Sequence, residues 1–281
     1  MNENINPPAA AKLGMITETD EEYHGGPGVS KSGLWELWTK TPFHFRHMVH
    51  ADKPHFAIGK AAHIAILEPE TLEARVTRGP EDRRGNKWKE AQDFAEFHKT
   101  ILLTASDYDL AMIIRDLAAQ NPFVRQMQSN DPIVETSFYA NDAETGRLIK
   151  CRPDLYSRSL RVACDIKNMA SASPNDFSRA VGMMGYHMQD AVYTDVLTQA
   201  GEDIEGFFFI VFEKSEPPMV AVYELDAAAV AEGHAVYRAA LAKYDECAKA
   251  DVWPGYPEGI QQVGLRSKWD YVLTNPNEAQ Q

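Results

Sequence analysis

Near residue 130 the hydrophobic periodicity of the chain changes from helical to strand-like, and the order of segments around that change restricts the fold more than any other feature. Upstream, "GVSKSGLWELWTKTP" reads as a capped helix, with Ser30 or Ser32 as N-cap and Pro42 near its end. "FAIGKAAHIAILEPE" places Ile58, Ala62, Ala65 and Ile66 on one apolar helix face. "GNKWKEAQDFAEFHK" and "TASDYDLAMIIRDLAAQNP" predict two more helices, the second closed by Asn121 and Pro122. Downstream, "PIVETSFYA", "GRLIKCRPDLY" and "LRVACDIKN" are short β-prone runs separated by "NDAETG" and "SRS", which predicts an antiparallel meander. A single helix from Ser173 to Gly201, two strands in "EGFFFIVFEK" and "MVAVYELD", and a long terminal helix complete the pattern. The order predicts an α/β core with a helical N-terminal addition, as one domain over 28–253 that is helical over 28–125 and sheet with helices over 130–250. Residues 1–27 mix Pro, Gly, Asn and acids without periodicity and read as a mobile lead-in, and 254–281 read as a tail.

Composition narrows the function classes. With 281 residues, 44% apolar and 25% charged, the chain can bury one substantial core. Cys151, Cys164 and Cys247 form no C-x-x-C pair, so neither a disulfide framework nor a cysteine zinc site is expected. The start of the chain lacks a basic segment followed by an apolar run, and "GFFFIVF" is far shorter than the roughly 20 residues of a membrane helix. A cytoplasmic protein that does not span a membrane is therefore expected. A net charge of −13 argues against a uniformly basic coat for nucleic acid but leaves a local basic groove open. No Walker A glycine loop or G-x-S-x-G elbow is present, which removes ATP hydrolysis and the serine-hydrolase elbow from consideration.

The chemistry-bearing stretch is "KCRPDLYSRSLRVACDIKN", residues 150–168. Alternation in the second strand sends Val162, Cys164 and Ile166 to one face and Ala163, Asp165 and Lys167 to the other, so one face is core and the other carries chemistry. Asp154 ends the preceding strand, and a short turn brings it beside Asp165. Two carboxylates with the Ile166 carbonyl between them make an oxygen-rich pocket suited to Mg²⁺, with Mn²⁺ as substitute. On the same face Lys167 can orient or help deprotonate a water and offset charge on a phosphate. The alternative is a surface hairpin with a solvated Asp-Lys pair.

Pro153-Asp154 followed by Asp165-Ile166-Lys167 resembles the PD-(D/E)xK nuclease signature. "YHMQDAVY", with Gln189 and Tyr193 four apart on a helix, is similar to the Q-x-x-x-Y element of the RecB-like branch. "GKAAHIAILEPE" resembles that branch's helix with a metal-site histidine, here His63, and "GVSKSGLWELWTKTPFHF" resembles the opening helix of RecE-type exonucleases, relatives of exonuclease VIII. The resemblance runs from Gly28 to Tyr193. It implies a restriction-endonuclease-like mixed sheet flanked by helices and metal-dependent phosphodiester hydrolysis. It implies Asp154, Asp165, His63 and the Ile166 carbonyl as metal ligands and Lys167 as the residue acting on water or transition state. Gln189 and Tyr193 would steady Lys167, the metal waters or the DNA backbone, with Tyr193 alternatively a core residue. Glu135 occupies a strand position where this branch often has an acid, or is a solvated edge residue. Asp165 stands where glutamate is commoner, which shortens its reach. The resemblance further implies digestion of linear duplex DNA from 5′ to 3′ in phage-type recombination, a ring of subunits, and a RecT-like single-strand annealing partner. A RecB-like nuclease of single strands or DNA ends in a larger complex, and a non-catalytic scaffold that binds DNA ends, are the other readings.

DNA contacts are expected from "RVTRGPEDRRGNKWK", where Arg78, Arg83, Arg84 and Lys87 lie among six basic residues and two acids, or this segment is a solvated loop. Arg46 is a further candidate, and the resemblance implies a terminal-phosphate contact from one of Ser30 and Ser32, which read first as helix caps, with Ser32 taken as the DNA contact. His44, His47 and His50 share a helix face, which reads as packing or phosphate contact because no Cys or carboxylate set accompanies them.

Overall fold

The computed structural model describes residues 13–48, 57–215 and 217–262. The N-terminal part begins with strand β1 (Gly14–Ile16), helix α1 (Asp20–Gly25), strand β2 (Val29–Ser30) and helices α2 (Lys31–Thr39), α3 (Pro42–Arg46), α4 (Ala57–Leu67) and α5 (Leu72–Arg75). Strand β3 (Val76–Arg78), helix α6 (Asn86–His98), strand β4 (Ile101–Leu103) and helices α7 (Ala105–Gln120) and α8 (Pro122–Ser129) follow. The second half runs β5 (Pro132–Val134), β6 (Ser137–Asn141), β7 (Leu148–Cys151), β8 (Leu155–Ser157), β9 (Val162–Met169), α9 (Pro174–Met184), α10 (Tyr186–Gln199), β10 (Gly206–Glu213), β11 (Val220–Glu224) and α11 (Ala227–Ala250). Mixed sheets flanked by helices are thus the architecture, as expected.

The expected meander divides between two sheets. One has the order β1-β6-β7-β2 and the other β11-β10-β9-β8-β5, with a small β3-β4 pair beside them. "PIVETSFYA" breaks at Glu135, whose φ of 41° turns the chain out of one sheet and into the other. "GRLIKCRPDLY" breaks at Arg152–Asp154, where Pro153 cannot donate to a ladder. β9 and β10 run parallel from Gly206↔Val162 to Glu213↔Met169, joined by the α9–α10 crossover.

Both faces of β9 are buried over Ala163–Ile166, so the face that carries Asp165 and Lys167 is covered as well as the core face. Cys164 and Ile166 pack with Ala62, Ile66 and Ile114 from α4 and α7, while Ala163 packs on the opposite side with Met188 and Val192 of α10. A central parallel pair is covered on both sides because crossovers place helices there, and the unbroken apolar run of β10 is the sequence mark of it. Asp165 and Lys167 therefore point toward α10 from inside the fold.

Two further expectations are corrected. Part of the supposed mobile lead-in is built into the fold: β1 pairs with β6, α1 carries a Thr19–Glu22 capping box, and Tyr23 is buried. The single helix after Ser173 is two helices, broken at Gly185 with φ 66°. A Cβ there would lie 2.5 Å from the Trp35 ring, so glycine is required both for the left-handed turn and for the close approach of α2. Farther along, a Cβ on Gly233 would lie 2.0 Å from the His187 carbonyl, so α10 and α11 pack nearly backbone to backbone.

Asp190, on α10 and 6% exposed, is bonded by the Thr194 hydroxyl at 3.4 Å. Burial pushes its carboxyl up to about 6; the Thr194 bond opposes this and the Glu224 charge adds to it. The folded state thus favours the protonated acid. Its stability contribution is complete below the ordinary aspartate range near 3.8 and is lost as pH rises through about 6. Ionisation then costs on the order of 3 kcal/mol at neutral pH. Asp190→Asn, which keeps the Thr194 partner, is expected to raise the thermal midpoint at pH 7.5 by on the order of 5 °C. That gain should vanish near pH 4; calorimetry giving the same shift at both values would refute the account.

Candidate active site

The β8–β9 ladder ends at Leu155↔Cys164, so the edge of β9 beyond Cys164 has no strand beside it. Asp154, at the bend before β8, fills that gap: its Oδ2 accepts the Ile166 N–H at 2.6 Å. In extended backbone the N–H and C=O of one residue face the same edge, so the Ile166 carbonyl is directed to the Asp154 side. Asp154, from the bend before β8, and Asp165, from β9, both line one cleft.

Around Asp154 the structure gathers a donor set. His63 from α4, Glu135 and Asp154 each offer a ligand atom, and these atoms lie within 4.8 Å of one another. His63 Nδ1 is 3.5 Å from Asp154 Oδ1. Glu135 is fixed by its backbone: its N–H donates to the Asp154 carbonyl at 3.1 Å, and its own carbonyl accepts from Arg152 Nε at 2.7 Å. Burial pushes the His63 imidazole below its ordinary value, against the pull of Asp165 and Glu135, so the ring is neutral and able to donate a lone pair. Burial, and then the Asp165 charge, push the Asp154 carboxyl well up, with the Ile166 bond and Lys167 opposing. Negative charge is therefore undercompensated here. An imidazole with two carboxylates fits a hard divalent cation.

Asp165 stands one step aside from that set. Its Oδ2 accepts from Lys167 Nζ, which also donates to Gln189 Oε1 at 2.9 Å and lies 4.6 Å from the centroid of the Tyr186 ring. Burial pulls the Lys167 ammonium down, but the contacting Asp165 carboxylate outweighs it and holds the lysine above its ordinary value. The folded protein thus holds Lys167 as an ammonium between Asp165 and Gln189. Tyr193 meets Phe207 edge-on at 5.4 Å and also borders the cleft, so it is both a packing and a site residue.

These groups open on a cleft of about 610 Å³. Of the residues expected from sequence, His63, Glu135, Asp154, Asp165, Ile166, Lys167, Tyr193 and Ser32 line it, and Gln189 lies behind Lys167. Of the proposed DNA contacts only Ser32 borders the cleft; the basic ones do not assemble there. Arg78 is bonded to Asp109 at 2.9 and 3.1 Å, and Arg83 to Asp107 at 3.0 Å. Arg84 and Lys87 are exposed and make no ion pair among the described residues, while from that segment Arg75 borders the cleft. Arg46 lies 5.8 Å from the Trp253 ring. Ser30 rather than Ser32 caps α2, accepting from the Gly33 N–H. His44 bonds Thr41 and His47 packs on Phe43, which favours packing; His50 lies outside the described residues.

Sequence reasoning missed Tyr186, three positions before Gln189 and thus on the same helix face, which is a readable signal. It also missed Lys31 and the wall formed by Asp20 and Tyr23, hidden in the segment taken as mobile. Among the described residues no helix is long and apolar enough to cross a membrane.

The architecture is similar to that of an Eubacterium rectale crystal structure described as a "Putative exonuclease", at 16% identity over 91% of this chain and 98% of that chain, with a TM-score of 0.58. A second crystal structure, of SSO0001, aligns at 16% identity over 67% of this chain and 85% of that chain, with a TM-score of 0.28. No curated protein matches the sequence. The family described as "PDDEXK-like domain of unknown function (DUF3799)" matches residues 39–265, most of the chain and the part of it that carries His63, Glu135, Asp154, Asp165 and Lys167, and the chain belongs to it.

Proposed function

We propose that this protein is a Mg²⁺-dependent nuclease that hydrolyses DNA phosphodiester bonds, and within that class an exonuclease of RecE type acting on the ends of linear duplex. The observation that carries the reading is the convergence of the His63, Glu135 and Asp154 donors with the Asp165–Lys167–Gln189 chain in one cleft. The family match and the likeness to a structure described as a "Putative exonuclease" support it.

Hydrolysis of a phosphodiester needs a water directed in line at phosphorus and relief of the charge gathering on the phosphoryl oxygens. His63, Glu135 and Asp154 would hold a divalent cation, which would supply Lewis-acid polarisation and acidify a bound water; Mn²⁺ would substitute for Mg²⁺. The Ile166 carbonyl and the Asp165 carboxylate, from residues that line the same cleft, would complete the proposed ligand set, Asp165 with one oxygen committed to Lys167. Lys167 orients water and stabilises negative charge, held in place by Asp165, Gln189 and the Tyr186 ring. Arg84 and Lys87, with Lys89 beside them, are exposed cations of the basic segment and would meet phosphates outside the cleft.

The finer reading is 5′ to 3′ digestion that leaves a 3′ tail for a RecT-like annealing protein in phage-type recombination. A ring of subunits would let a protomer of net charge −13 concentrate its cations around the substrate. The experiment is digestion of linear and circular duplex, labelled separately at 5′ and 3′ ends, in Mg²⁺ and in EDTA, with light scattering for mass. Loss of linear duplex alone, 5′ label first, and an oligomer are expected. Cut circles would indicate an endonuclease, and binding without cutting a scaffold.

A further inference from the structure

Lys31 is a cation of the cleft to which the hydrolytic reading gives no task. It opens α2, and its side chain reaches across to the α9–α10 junction, where Nζ donates to the Met184 carbonyl at 2.7 Å. The ammonium lies 5.5 Å from the Trp35 ring centroid and 5.9 Å from that of Tyr186. Lys167 lies 4.6 Å from the same Tyr186 ring, so two ammonium groups share one aromatic platform. The two differ in one respect. Lys167 touches a carboxylate, whereas no carboxylate pairs with Lys31 among the described residues.

A helix-end anchor does not account for the arrangement. α9 is already closed by Gly185, whose N–H donates to the Val181 carbonyl, so the helix ends without Lys31; the lysine adds a donor to the separate Met184 carbonyl, an end-of-helix acceptor of the kind that water also satisfies. Burial, followed by the neighbouring Lys167 charge, brings Lys31 down to about 7, with Asp165 pulling the other way. A half-buried cation repelled by its neighbour is relieved by an anion arriving beside it. The cleft wall beside it, formed with Ser32, faces the space bordered by Asp154 and Asp165.

We propose that Lys31 binds substrate: its ammonium exchanges the Met184 carbonyl for the backbone phosphate next to the scissile one, so that Lys31 and Lys167 hold two successive phosphates of one strand. This rests on the nuclease reading. The contact is electrostatic and carries no base preference, in keeping with an enzyme that moves along DNA.

The test measures equilibrium binding of a short duplex in Ca²⁺ across a salt series, for wild type, Lys31→Met and Lys31→Arg, with Mg²⁺ kinetics and thermal midpoints for each. Lys31→Met should reduce the slope of log affinity against log salt by about 0.9, the value for one lost phosphate contact, and raise KM about tenfold with a smaller change in kcat. Lys31→Arg should recover the slope, since it keeps the charge. An unchanged slope in Lys31→Met, with any loss of rate matched by a fall in thermal midpoint, would make Lys31 an anchor for α9 and overturn the inference. Wild type that binds but does not cut refutes the nuclease reading, and the slope comparison still decides Lys31. Wild type that binds no DNA overturns both.

Discussion

Asp154→Asn is expected to lower kcat on DNA by on the order of 10³-fold or more while raising the thermal midpoint of the metal-free protein. The rate follows from the site: Asp154 is shared by the donor set and by the β9 edge, and a Lewis acid supplies several kcal/mol of transition-state stabilisation. Asparagine retains an oxygen for the Ile166 N–H, so the fold is kept while the charge is removed. The stability effect has the opposite sign because burial and Asp165 push the Asp154 carboxyl well up. A group raised on folding contributes stability that is present below its unfolded value and lost as pH rises through the folded one, so above that window the neutral amide is preferred. Mg²⁺ should stabilise wild type through linkage and leave the variant nearly unmoved. Duplex cleavage and thermal melting, each with EDTA and with Mg²⁺, check the set. Wild-type cleavage by the variant, or a variant that loses rate only because it melts earlier, would contradict the assignment.

How much of this was readable beforehand depended on how local the cause was. The alternation of β9, Ser30 as one of two caps, the Asn121 boundary and the pairing of Gln189 with Lys167 depend on a few neighbouring residues or on a motif, and they were legible. The break at Gly185 was not, because it answers to Trp35 in another helix. Nor was β1, three residues that form a strand because the edge of β6 is available to them. Its neighbour α1 did carry a signal, the Thr19–Glu22 box, which the lack of periodicity masked. Glu135 was a residue of open role until the chain was seen to change sheets there, which brings it beside His63. The basic segment misled for the reverse reason: counting charges within 75–89 cannot reveal Asp107 and Asp109, which neutralise Arg83 and Arg78 from α7.

Lys167→Met should separate the lysine from the metal ligands by moving stability the other way. Removing the ammonium leaves Asp165 without its cation, close to Asp154, so two buried carboxylates lose the positive charge that offsets them. The metal-free variant is therefore expected to melt below wild type. A divalent cation then meets a site richer in negative charge, so Mn²⁺ affinity is held or tightened and stabilisation by Mg²⁺ grows. The rate falls nonetheless, by about 10²- to 10³-fold in kcat, because nothing replaces the positioned donor facing the phosphate. Lys167→Arg should not restore it: the planar fork cannot occupy the compact position between Asp165, Gln189 and the face of Tyr186. Mn²⁺ titration, melting with and without Mg²⁺, and single-turnover cleavage are the measurements. Cleavage at the wild-type rate would make Lys167 a packing cation, whereas loss of Mn²⁺ binding would place it in the support of the metal site. A slow variant with intact or stronger metal binding is the outcome that leaves Lys167 acting on the substrate itself.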